Sequence, residues 1–99
     1  MQAQYPPAFE REMGCSEAEW LQALPGAVAP HAIELAGGSA RVAIDAGALA
    51  LAWQVLPPRR IALLRLPRLS VRFAFERVAD EARQRFMRRF DLCMQRGGG

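Results

Sequence analysis

The sequence predicts an α+β fold: a short N-terminal helix, an antiparallel β-meander of four to five strands, and a C-terminal amphipathic helix packed on the sheet. Three observations predict it. Between Ala32 and Glu76 apolar residues recur at every second position in short runs separated by glycine or proline, the period of strands with one buried face. Ser16 and Glu19 stand three apart just before an apolar stripe, a helix start. From Ala82 to Met94 the apolar residues switch to helical spacing. A parallel sheet would need crossover helices between its strands, and the chain leaves no room for them.

The elements follow in order. Residues 1–14 contain Pro6, Pro7 and Gly14 among mixed charges and read as an irregular lead-in. A single α+β domain is expected over 15–96, and a flexible glycine tail over 97–99. In the first helix Ser16 is the N-cap and Glu19 closes a capping box, while Cys15 and Trp20 form a hydrophobic staple. Trp20, Leu21 and Leu24 give the buried stripe, and Pro25-Gly26 is expected to end the helix. Strands are expected around Ile33–Leu35, Val42–Ile44, Leu49–Val55, Ile61–Leu66 and Leu69–Phe75. Their turns are read at Gly37-Gly38, Ala46-Gly47 and Pro58-Arg59, with Pro67 breaking the fourth run. In the last helix Asp80 serves as cap, and Ala82, Phe86, Phe90, Cys93 and Met94 form the stripe that docks on the sheet.

Charge is distributed unevenly. Residues 59–99 hold eleven of the thirteen arginines against four acids, whereas residues 1–58 hold two arginines against six acids. Lysine, asparagine and threonine are all absent, so the preference for arginine is a matter of composition; only its placement carries information. Arg85, Arg88, Arg89 and Arg96 gather on one side of the last helix, and Arg59, Arg60 and Arg72 belong to the sheet, with Arg65 and Arg68 near them. These positions, Arg59, Arg60, Arg72, Arg85, Arg88, Arg89 and Arg96, are the candidate anion-binding residues, since guanidinium forks match phosphate and carboxylate. The competing explanation is a solvated helix face in which Glu81 pairs with Arg85 and Arg88 with Asp91.

Other chemistry is poorly supplied. Arg68–Arg72 and Arg85–Arg89 both spell R-x-x-x-R, a spacing also found in PilZ-type modules, but the [DN]-x-S-x-x-G that accompanies it there is missing, and no family is assigned. His31 is the only histidine, and Cys15 and Cys93 have no CxxC spacing, so no catalytic residue, metal or cofactor is expected. The longest uncharged apolar run, Ala46–Trp53, is far short of the ~20 residues of a membrane helix. With no apolar leader in the opening residues, the sequence reads as a cytoplasmic protein with no membrane partner. The expectation is a non-enzymatic binding module whose basic half meets an anionic macromolecule, either nucleic acid or an acidic protein surface. The alternative is a homodimer or higher homo-oligomer, because Ala50, Ala52, Leu56, Ala62, Leu64 and Leu66 make the outer sheet face too apolar for water.

Overall fold

Seven elements succeed one another in the computed structural model, which describes residues 5–97 and side chains as far as Gln95. They are β1 (Ala8–Met13), α1 (Glu17–Val28), β2 (Ile33–Ala36), β3 (Ser39–Ile44), β4 (Gly47–Ile61), β5 (Leu64–Glu76) and α2 (Asp80–Gly97). The strands form one antiparallel sheet in the order β1-β5-β4-β3-β2. The meander is therefore β2 to β5, and a fifth strand, from the N-terminal segment, lies along β5.

That fifth strand corrects the expectation of an irregular lead-in. Phe9, Arg11 and Met13 share one face of β1 and Glu10 and Glu12 the other, paired in register with β5 from Ala8↔Ala74 to Met13↔Leu69. A mixed-charge edge strand has no apolar run to announce it, and what fixes it is its neighbour. Phe9 stacks on Phe73 with ring centroids 4.6 Å apart. Arg11 lies over both rings, 5.3 and 5.2 Å from their centroids, a cation–π arrangement.

Alternation assigns each side of the sheet. Val42, Ile44, Leu49, Leu51, Trp53, Leu69, Val71 and Phe73 are buried on one face, against Trp20, Leu24, Ala27 and Val28 of α1 and Phe86, Met87 and Phe90 of α2. Both helices thus cover the same face. Trp20 joins them, its ring edge-on to Trp53 at 5.6 Å and to Phe90 at 6.1 Å. Its own Nε1–H is buried without a partner. The capping box forms as expected, with Glu19 N–H donating to Ser16 Oγ at 3.1 Å and Ser16 N–H to Glu19 Oε1 at 2.9 Å. Glu17, one residue into the helix, accepts from Trp53 Nε1 at 2.8 Å.

Three local expectations are overturned. Helix α1 does not stop at Pro25-Gly26 but runs through both to Val28. Proline costs the helix a hydrogen bond and a clash one turn back, and the burial of Ala27 and Val28 beyond it offsets that cost. Asp80 is the first residue of α2, not its cap, and its carboxylate holds Arg83 Nη2 at 3.0 Å. The third turn is at Ala62-Leu63, with Ala62 at φ 55°, not at Pro58-Arg59. There is accordingly no separate strand at Ile61–Leu66. Strand β4 continues through Pro57-Pro58, and β5 through Pro67. The ladder skips from Leu56↔Arg68 to Arg59↔Leu66, so Pro57 and Pro58 face the single Pro67 across a β-bulge. Proline lacks the N–H that a ladder uses, and a bulge is where it is tolerated. Arg68 Nε donates to the freed carbonyl of Pro57 at 2.9 Å.

Beyond the bulge the β4–β5 hairpin is a two-stranded arm. Residues 57–67 are all exposed, Leu63 completely so. The longest dimension of the molecule is 46 Å.

Candidate functional site

Helix α2 turns back from the end of β5 after three residues and descends along it, since Phe86 meets Phe75 and Phe90 meets Phe73. Burying that stripe leaves Arg85, Arg88 and Arg89 on the exposed side. The ion pairs expected to neutralise them do not form. Asp91 instead faces β1, where it accepts from Arg11 Nη1 at 2.7 Å and from the Tyr5 hydroxyl at 2.6 Å. Glu81 makes no ion pair with Arg85. Among the described residues, Arg85, Arg88 and Arg89 have no carboxylate within 4.0 Å. Arginines three and four apart on one helix repel each other by a few tenths of a kcal/mol, a cost the buried stripe readily absorbs.

The three arginines border a cleft of about 400 Å³ between α2 and the α1–β2 connection. Phe86, Ala82 and Ala27 form its floor, Pro30 and His31 one wall, and Ile44 at the end of β3 with Asp45 of the β3–β4 turn the other. The His31 ring lies 5.5 Å from that of Phe86. The cleft thus combines cationic groups, an imidazole and an apolar base, and it has a single carboxylate, on an exposed turn. It suits an anionic group with an apolar or planar attachment. His31 was not a candidate from the sequence, because only the continuation of α1 to Val28 swings the following segment against α2.

The other candidates lie elsewhere. Arg59 and Arg60 are on the arm, Arg72 on the open sheet face opposite the helices, and the side chain of Arg96 lies outside the described residues. On the arm Arg60 and Arg65 are directly opposed across the two strands and neither has a carboxylate within 4.0 Å among the described residues. Like charges in that position weaken a hairpin. By contrast Glu12 holds Arg68 at 3.1 Å and approaches Arg59 at 3.9 Å. Strand alternation puts Arg60 and Arg65 on the side of the sheet that carries the helices. Strand β4 begins beside the cleft and ends at the arm tip, and its fifteen residues extend about 45 Å at ~3.3 Å each.

The N-terminal segment is tied to α2 by a network that sequence reading did not anticipate. Gln84 clasps the backbone of Tyr5, accepting from its N–H at 3.0 Å and donating to its carbonyl at 2.9 Å, and Arg83 Nε donates to the same carbonyl at 2.7 Å. Arg83 is almost fully buried, so it belongs to the framework and not to the exposed basic surface. The Tyr5 hydroxyl has its pKa raised above the ordinary 10.0, first by its hydrogen bond to Asp91 and then by burial. An acid whose folded pKa is raised lends stability that is whole below its unfolded pKa and vanishes as pH climbs through the folded value. Folding should therefore weaken above about pH 10 as tyrosinate forms beside Asp91. Tyr5 is the only tyrosine, so absorbance at 295 nm reports it alone. Its midpoint should lie above 10.0 and fall toward that value in Asp91→Asn; an unchanged midpoint in the variant would show that the hydrogen bond does not hold the proton.

The thiols of Cys15 and Cys93 are free and half-buried, and burial, with Glu19 nearby, pushes the Cys15 thiol pKa up, away from a reactive thiolate. No group of three or more metal-ligating side chains occurs among the described residues. No described helix is long and apolar enough to cross a membrane. Comparison with protein-family models, with curated proteins and with solved structures finds no match to this chain.

Proposed function

We propose that the protein is a non-enzymatic binding module, acting in the cytoplasm, whose helix-bearing side holds an extended polyanion, nucleic acid in the first instance. The observation that carries this reading is the line of arginines left without carboxylates: Arg85, Arg88 and Arg89 at the cleft, then Arg60 and Arg65 on the arm toward which α2 points. Arginine forks bind phosphate through paired, charge-assisted hydrogen bonds. Two such groups, one level with Leu49–Leu51 and the other at Arg60, lie about 30–35 Å apart along β4 and favour a ligand with evenly repeated charge over a compact acidic patch.

Binding to a fluorescent oligonucleotide should weaken as salt rises, with a linear fall of log K against log salt. Arg85→Ala and Arg89→Ala should each lower the magnitude of that slope by about 1. Arg41→Ala should leave it unchanged, because Arg41 is on the open face and already holds Glu76 at 2.7 Å. A poly-glutamate competitor of equal charge separates the two partner classes: nucleic acid should bind at least tenfold more tightly. Absence of low-salt binding to either polymer, or equal slopes in all three variants, would overturn the proposal.

A further inference from the structure

Charge accounts for only one side of the cleft beside α2. Arg85, Arg88 and Arg89 are exposed there with no carboxylate within 4.0 Å among the described residues. A phosphate gains nothing from the floor of Phe86, Ala82 and Ala27 or from the ring of Pro30. The small side chains at 27 and 82 keep that floor low. His31 is half-buried, and its ring lies 5.5 Å from that of Phe86 at 58°, so the core holds an aromatic surface at the edge of the cleft. About 400 Å³ is near the small end of ligand pockets, roughly 300–1,000 Å³. That is room for one nucleotide unit and too little for a helix.

We infer that the cleft takes one unstacked nucleobase, laid against His31 and Pro30, with the neighbouring phosphates held by Arg85, Arg88 and Arg89, so that the protein selects single strands over duplexes. This rests on the nucleic-acid reading above, in which the base is the only planar, weakly charged part of each repeating unit. Bases stack on histidine and other aromatic rings and on arginine planes whatever their identity. Asp45, the one carboxylate lining the cleft, repels phosphate and leaves its side to the base. In a duplex every base is already stacked and paired, and extruding one carries a cost that a single strand largely avoids. Charge alone predicts the opposite order. Each phosphate contact contributes about 0.9 to the salt slope on B-form duplex and about 0.7 on a single strand.

Fluorescence anisotropy at about 50 mM salt with three labelled probes of equal length separates these terms. They are an unstructured single strand, its duplex, and an abasic strand that keeps the phosphates but lacks the bases. Wild type should bind the single strand at least tenfold more tightly than either of the others. His31→Ala should remove at least fivefold of that advantage, the lower end of what one stacked base contributes, and leave duplex affinity unchanged. His31→Phe, which keeps a ring, should retain the advantage within about twofold. The abasic comparison is made on wild type and so does not depend on how a variant folds. Duplex or abasic strand bound as tightly as the single strand overturns the inference and leaves the polyanion reading standing. Binding of none of the three overturns that reading, and the inference with it. A single-strand advantage that survives in His31→Ala, or is lost equally in His31→Phe, also overturns the inference, since the base would then lie elsewhere.

Discussion

Phe90→Ala should cost about 3–5 kcal/mol of folding stability, the range for emptying a fully buried aromatic site. Phe90 is completely buried, and its ring meets those of Trp20, Phe73 and Phe86 at 6.1, 5.6 and 6.1 Å. It is therefore the point at which both helices and the sheet converge. None of these neighbours can collapse into the space without breaking the aromatic contacts of another, so the loss should fall in the upper part of the range. Urea titration followed by tryptophan fluorescence measures it directly, because Trp20 and Trp53 both lie in this cluster. A loss under about 1 kcal/mol would mean that α2 is not docked, and the placement of its arginines around the cleft would fall with it.

Gly47→Ala should cost about 3 kcal/mol or more, an unusual penalty for adding one methyl group. A Cβ at this position would overlap the backbone carbonyl oxygens of Glu76 and Arg77. Those atoms cannot rotate away as a side chain can, so β4 and the end of β5 would have to separate. The β3–β4 turn before Gly47 carries Asp45 at φ 52°, and Arg77 has φ 55°; both are already in a region that non-glycine residues seldom occupy. The same turn forms one wall of the cleft, so anion binding should weaken in this variant together with stability. Gly37→Ala serves as the comparison: a Cβ there meets nothing within 4 Å, and its effect should stay within about 1 kcal/mol. Equal losses at the two glycines would show that backbone freedom, not close approach, sets the cost at Gly47.

Local chemistry was legible in the sequence wherever the side chain itself carries the instruction. Ser16 and Glu19 form the expected capping box because both donors and acceptors lie within one turn of chain. The strict alternation from Leu49 to Trp53 and from Leu69 to Phe73 named the buried face of β4 and β5, since a period of two admits only one partition. The stripe of α2 was likewise readable from spacing. The exposed position of Arg72 followed from that of Phe73, and the charge asymmetry was visible by counting. What remained hidden depends on neighbours distant in sequence. Strand β1 exists because β5 offers it a hydrogen-bonding edge. The passage of α1 through Pro25 is held by the burial of Ala27 and Val28. The passage of β4 and β5 through Pro57, Pro58 and Pro67 relies on all three meeting at one bulge. The pairing of Asp91 with Arg11 and Tyr5, in place of Arg88, required knowing that β1 lies across from α2. Sequence spacing offers Arg85 and Arg88 a nearby carboxylate each, Glu81 and Asp91; tertiary structure decides which carboxylates are already taken, because a charged side chain pairs with whatever the fold brings within reach. That competition, resolved only in three dimensions, leaves Arg85, Arg88 and Arg89 unneutralised beside the cleft.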